Sequence, residues 1–203
     1  MAQTSTWNHN THFHPLALRA VTPRTRAIDV GCGEGLLTRQ LRAAGAARVL
    51  GIDLEPTMAA QARTLADGDA SLEYRAENFL TMPLAERFDL VTCFATLHHV
   101  ELAAGLTRLR ELTAPGGRLV VVGLARTAGP LDVALSLASV AVDPVVKAVR
   151  GYWEHPAPVA DPDHSYADVA AAAARTLPGV RFRRRLYYRY SLEWTNGTPL
   201  SGE

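Results

Sequence analysis

The most constraining stretch is residues 26–35, RAIDVGCGEG. An apolar run enters Asp29, and glycines then fall at alternate positions, Gly31, Gly33 and Gly35. Immediately afterwards Leu36, Leu37 and Leu41 take helical spacing. The pattern is a strand, a tight glycine turn and a helix start, a geometry that turns backbone N–H groups toward a ligand with no Cβ between them. Many nucleotide-binding folds use such a turn, so the rest of the chain must identify the ligand.

Downstream, strand-like and helix-like patterns alternate. RVLGIDL (48–54) is a second strand ending on an acid, Asp53, and Pro56 stands where a first helical residue is tolerated. Met58, Ala62 and Leu65 form that helix's inner stripe, and Asp67-Gly68 ends it. Residues 72–76 form a weaker third strand. FDLVTCFA (88–95) is a fourth, apolar enough to be buried on both faces. A helix over 102–113 closes on Pro115-Gly116-Gly117, and RLVVVGL (118–124) is a fifth strand. Five strands joined by helices imply parallel pairing through right-handed crossovers, the doubly wound α/β arrangement. Residues 180–195 add two further strands, with no glycine or asparagine marking the turn between them.

The chain has 203 residues, enough for one domain and one core, and two cysteines inside apolar runs, Cys32 and Cys93, which fit buried thiols of a reducing compartment. A net charge of +1 gives no broad basic field, so nucleic acid is not the expected partner. The N-terminus lacks the order of a signal peptide, and the apolar segment 131–149 is interrupted by Asp132, Asp143 and Pro144, short of a membrane span. The expectation is a cytoplasmic protein.

A dinucleotide fingerprint requires a small residue at position 36, and Leu36 stands there, which argues against an NAD-dependent oxidoreductase. Asp53 closes the second strand, where a carboxylate accepts bonds from both ribose hydroxyls and repels a 2′-phosphate. An adenosine is expected, and NADP is not.

AIDVGCGEG, VLGIDLEP, FDLVTCFATLHHV and LRELTAPGGRLVVVGL resemble, in order and spacing, the successive motifs of class I S-adenosylmethionine-dependent methyltransferases over about residues 26–195. The TLHHV after the fourth strand is similar to the small-molecule branch that includes quinone-biosynthesis enzymes, the methyltransferase type 11 group. The resemblance implies a single seven-stranded, mostly parallel sheet with helices on both faces and an antiparallel C-terminal strand pair. It implies residues 1–25 as an N-terminal lid or helical segment, 26–203 as the catalytic domain, and a helical or loop insert over 125–164. By position, Asp29 and the turn Gly31-Cys32-Gly33 would hold the methionine part of S-adenosylmethionine, Asp53 the ribose, and Leu54 the adenine face. Asn78, followed by Phe79, stands where the family commonly has an Asp for the adenine amine. Phe94 and Ala95 would line the path to the sulfonium. Glu55 replaces the usual small helix-capping residue.

The reaction implied is in-line transfer of a methyl group to a small, hydrophobic acceptor, with release of S-adenosylhomocysteine. A methyltransferase-like protein that binds the cofactor without turnover is the alternative. His98 and His99, at the carboxyl edge, are candidates for base or substrate orienter, against a reading in which they only pack and bond a loop. His9, His12 and His14 have the look of a metal tract, but no Cys, Asp or Glu precedes Asp29, and no metal is expected. The same segment reads either as a lid bringing Trp7, Phe13 and His14 to the site or as a loose tail. In the insert, Leu131, Leu135, Leu137, Val142, Val145, Val146, Tyr152 and Trp153 either wall an acceptor pocket or pack a plain helix broken at Asp143-Pro144. A proline-rich loop carrying His155 follows. Arg181, Arg183, Arg184, Arg185 and Arg189, interleaved with aromatics, read as a solvated sheet edge.

Overall fold

The computed structural model describes residues 7–153 and 162–197. His155, most of the proline-rich loop and the first six residues lie outside them. Seven strands form one sheet: β1 (Arg26–Val30), β2 (Arg48–Asp53), β3 (Leu72–Ala76), β4 (Phe88–Phe94), β5 (Thr113–Leu124), β6 (Arg181–Arg185) and β7 (Arg189–Thr195). Their order is β3-β2-β1-β4-β5-β7-β6. The first five strands run parallel, and β7 is antiparallel to both neighbours. The expected mostly parallel doubly wound sheet with its antiparallel C-terminal pair is therefore the observed architecture.

Short helix α1 (Pro15–Leu18) precedes the sheet, and α2 (Leu36–Ala43), α3 (Pro56–Leu65) and α4 (Leu102–Leu112) connect its strands. Beyond β5 come α5 (Pro130–Arg150) and α6 (Tyr166–Thr176). Two apolar layers sandwich the sheet. One gathers Ile28, Leu50, Val91, Leu106, Leu109 and Leu119 with α4 and α6. The other gathers Ala27, Leu41, Val49, Val120 and Val122 with Phe13, Leu16 and Tyr187.

Because β1 is flanked by β2 on one side and β4 on the other, the chain winds in opposite directions from that point. Crossovers diverge there and open a crevice at the carboxyl ends of β1 and β4, the position where such sheets bind ligands.

Two local expectations need correction. First, β5 begins at Thr113 instead of 118, because Pro115-Gly116-Gly117 is absorbed as a bulge. Pairing jumps from Phe88–Thr113 to Leu90–Arg118, with Gly116 at φ +77° and its N–H donating to Asn196 O. Second, α5 is unbroken through Pro144. Proline removes one helical bond, but Pro144 and Val140, four residues earlier, lie on the solvent side, and Asp143 is tied to Lys147 at 2.7 Å. The two C-terminal strands are present as expected, and tyrosines make the unmarked turn between them. Tyr187 and Tyr188 hold φ of +60° and +58°, in the left-handed region. Burial of Tyr187 among Trp7, His9, His12 and Phe13, and a bond from its N–H to Ser139 Oγ at 2.8 Å, offset that strain.

Helix α5 also presents the reverse of the usual polarity. Asp132 and Ser139 are buried and Asp143 half-buried, whereas Val133, Leu137, Val140, Val142, Val145 and Val149 are exposed. Leu135 and Val146 are half-buried. Of the residues read as an acceptor wall, Leu137, Val142, Val145 and Tyr152 therefore face solvent, because polar ties fix which side of the helix meets the domain.

Candidate functional site

Asp29 is the buried centre of the crevice. Its register partners are Gly51 on β2 and Thr92 on β4, and Thr92 Oγ1 donates to its Oδ1 at 2.7 Å. Burial pushes its carboxyl up to about 7; the Thr92 bond opposes the shift and the nearby Asp53 charge adds to it.

Beyond β1 the chain makes the glycine turn. Gly31, Gly33 and Gly35 all have positive φ. The N–H groups of Gly31 and Cys32 bond Ile52 O at 2.8 and 3.0 Å, fixing the turn against β2. At Gly31 a Cβ would lie 2.0 Å from Thr96 Oγ1, so a side chain there is excluded by the chain after β4 as well as by backbone conformation. Gly35 opens α2, and a Cβ there would meet Tyr74 at 2.6 Å.

Asp53 closes the rim. Its Oδ2 accepts from Gly33 N at 2.8 Å and its Oδ1 from Glu55 N at 3.0 Å, so the carboxylate is held in place by the two loops it joins. Glu55 makes no side-chain cap on α3, as expected from its chemistry. Leu54, beside Asp53, is 67% exposed, a large apolar side chain with an open face. Asn78 is exposed, and its Oδ1 accepts from Leu80 N at 3.0 Å, which leaves one lone pair and the amide N–H groups for another partner.

Two residues of the expected set turn inward. Cys32 packs with Ala62 and Tyr74, and burial pushes its thiol up. Its backbone is taken up as well, the N–H by Ile52 O and the carbonyl by the N–H of Gly35 at 2.9 Å. Phe79 belongs to the core layer under α4.

On the other side of the crevice, Phe94 ends β4, and Ala95 follows at φ +51° with its N–H bonded to Val122 O at 2.7 Å. His14 meets the Phe94 ring edge-on at 5.4 Å between centroids, and its Nδ1 lies 2.6 Å from Gln40 Oε1. An amide oxygen only accepts, so Nδ1 carries the proton and Nε2 the lone pair. Burial pulls the imidazole down to about 4, partly opposed by the Gln40 bond. His98 and His99 sit in the single helical turn after β4, rings tilted at 4.0 Å. His98 is half-buried with Nδ1 unpartnered, and burial first, then the charges of His99 and Arg189, pull it down to about 4. His99 is exposed.

The N-terminal histidines take separate partners. His9 bonds Asp143 at 2.7 Å and stacks on Tyr187, whereas His12 lies edge-on to Phe13. Among the described residues no group of three His, Cys, Asp or Glu is placed to hold a metal. Nor, among them, is any helix long and apolar enough to cross a membrane.

Sequence reasoning does not single out Thr92 or Thr96, and its reading of Arg189 as part of a solvated edge is corrected by that residue's burial. Thr92 carries a signal, as the polar side chain within the otherwise apolar LVTCF half of the fourth strand. Arg189 carries the opposite of one. It falls in an arginine run of which Arg181 and Arg183 are exposed, yet it is itself buried.

The crevice fits the molecule the motifs imply: a cradle closed to side chains at Gly31, a rim carboxylate at Asp53 and an open apolar face at Leu54. Comparison with known proteins agrees. A family model described as "Methyltransferase domain" matches residues 28–121. An uncharacterised methyltransferase of Mycobacterium tuberculosis is 32% identical over 93% of this chain and 96% of its own. Among solved structures, an N-methyltransferase of Bradyrhizobium japonicum in complex with S-adenosylhomocysteine shares the fold. Its TM-score is 0.61 at 19% identity, covering 96% of this chain and 93% of that one. A magnesium protoporphyrin IX methyltransferase of Synechocystis with bound S-adenosylmethionine gives a TM-score of 0.62 at 21% identity, over 93% of this chain and 80% of that one. The chain belongs to the class I methyltransferases, enzymes whose cofactor is S-adenosylmethionine.

Proposed function

We propose that this enzyme methylates a small, largely hydrophobic metabolite bound between Phe94, His98 and the N-terminal segment. The observation that carries the reading is the burial of Trp7, Phe13 and His14 across the carboxyl edge, with His14 against Phe94 and Gln40. A roof of this kind favours an enclosed acceptor over a polymer lying in an open groove. A net charge of +1 agrees with a partner other than nucleic acid.

Asp29 orients the amino-acid end of the cofactor, and the glycine turn, whose N–H groups at 31–33 are held by Ile52 O and Asp53, gives it room to approach without a side chain in the way. Asp53 takes the ribose hydroxyls, Leu54 packs on the adenine, and Asn78 bonds its edge. The cofactor supplies an electrophilic methyl on a sulfonium. The protein aligns the acceptor atom with it and excludes water, and alignment of this kind is worth up to roughly 7–11 kcal/mol. His98, neutral at physiological pH with a free ring nitrogen, is placed to orient the acceptor or take its proton.

Calorimetric titration with S-adenosylmethionine, S-adenosylhomocysteine and NAD⁺, followed by an acceptor screen using labelled methyl groups, tests this. Binding of the first two alone, and label appearing in an organic-soluble small molecule, is the expected result. Label transferred only to protein or nucleic acid would overturn the small-metabolite reading.

A further inference from the structure

Arg189 is a buried cation whose hydrogen-bond partners are all neutral. It is 9% exposed, yet Nε bonds Asn10 Oδ1 and Nη1 bonds Tyr187 O, each at 3.0 Å. The neighbouring arginines of the same run differ: Arg184 meets Asp132 at 2.6 Å and Arg185 meets Glu193 at 3.5 Å. Among the described residues no carboxylate pairs with Arg189, and no acceptor takes an N–H from its Nη2. Burial pulls its guanidinium down to about 10, so it still carries its charge at neutral pH. A charge largely removed from water without a counter-charge is costly, and an anionic ligand group reaching Nη2 would supply the missing pair.

Its position says which ligand. Arg189 opens β7 and pairs with Leu124, the last residue of β5, so it stands at the carboxyl edge on the side of the sheet away from the glycine turn. His98 feels its charge, and so does the hydroxyl of Tyr166 at the start of α6. The strained 186–188 turn supplies one of its two anchors, which fixes the guanidinium in direction as well as place.

We propose that the methyl acceptor carries a carboxylate and that Arg189 receives it, setting the acceptor's orientation beside His98. One guanidinium matches one negative charge, which favours a carboxylate over a dianionic phosphate ester. The proposal rests on the acceptor lying at this edge, and it narrows "hydrophobic metabolite" to an amphiphilic acid with its apolar part toward Phe94.

The test uses the full chain saturated with S-adenosylhomocysteine, titrated with benzoate, hexanoate and decanoate and with the neutral amide of each. At least one acid should bind tenfold or more tighter than its amide. Arg189→Gln should bring acid and amide level, Arg189→Lys should keep part of the preference, and affinity for S-adenosylhomocysteine should stay unchanged in both. The acid–amide comparison on the unsubstituted protein stands even if a variant folds poorly. Equal binding of acid and amide in all three pairs, or no binding of any acid, would overturn the proposal. Failure of S-adenosylhomocysteine itself to bind would count against the cofactor assignments instead. Phenyl phosphate binding in place of every carboxylate would overturn the charge-matching argument.

Discussion

At the scale of single residues, the site keeps its two acids for opposite purposes. Asp53 is a preset acceptor whose oxygens already bond two backbone N–H groups. Asp53→Ala should weaken cofactor binding by about 1–3 kcal/mol, roughly 5- to 150-fold, as read by calorimetry. Asp29 is held at a cost. Its carboxyl titrates near 7 in the folded protein and near 3.8 when unfolded. Between those values the native state binds a proton that the unfolded state does not, so this group's contribution to stability falls as pH rises from about 4 through 7. Asp29→Asn should remove that loss, making the variant more stable than the parent at pH 8 by on the order of a few kcal/mol in urea unfolding, while cofactor affinity collapses. On the proposed reading, that stability is given up for a carboxylate that the cofactor's ammonium can reclaim. His98 gives a third test. With its imidazole pulled down to about 4, it stays in its basic form at neutral pH. Turnover that depends on it should keep its plateau down to about pH 5 instead of declining near the ordinary 6.5, and His98→Asn should lower kcat without changing cofactor affinity.

Among the elements, the glycine turn and the tyrosine turn show how far local sequence reaches. The first is legible because Gly31 and Gly35 are required by their own backbone and by close neighbours, a requirement written as glycine. The second is hidden. Nothing in LYYR announces a reversal, since two tyrosines in the left-handed region are tolerated only because the N-terminal segment buries one of them. The two positions should therefore respond oppositely to glycine. Tyr188 is 42% exposed, and Tyr188→Gly should raise stability by up to about 1 kcal/mol through relief of backbone strain. Tyr187→Gly relieves the same strain but empties the centre of the aromatic cluster, and should cost about 3–5 kcal/mol. Denaturant unfolding of both variants measures the contrast. The same logic explains why the 115–117 glycines read as a turn yet lie within β5. A bulge and a turn require the same backbone freedom, and only pairing with β4 and Asn196 separates them.

For the molecule as a whole, the mostly parallel sheet with its antiparallel C-terminal pair was legible in sequence, because β2, β4 and the 118–124 part of β5 are nearly continuous apolar runs and the expected crevice residues lie at or beside strand ends. Asp29, Asp53, Phe94 and Ala95 all lie where the end of a strand puts them. What sequence did not reveal was contact between distant parts: Thr92 under Asp29, Thr96 against Gly31, and Arg189 drawn out of an exposed run into the interior. It also left α5 open between a pocket wall and a plain packing helix, and expected a break at Asp143-Pro144 that does not occur. That helix joins the domain through Arg184–Asp132, Tyr187 N–H to Ser139 and His9–Asp143, with its valines turned outward. Two kinds of adhesion therefore coexist in one chain, and they answer to the solvent with opposite sign. Sodium sulfate screens charge pairs while strengthening the burial of apolar surface. Raising it should slow amide hydrogen exchange in β1, β4 and β5 and speed it in α5, so that the sheet tightens as the helix loosens its hold.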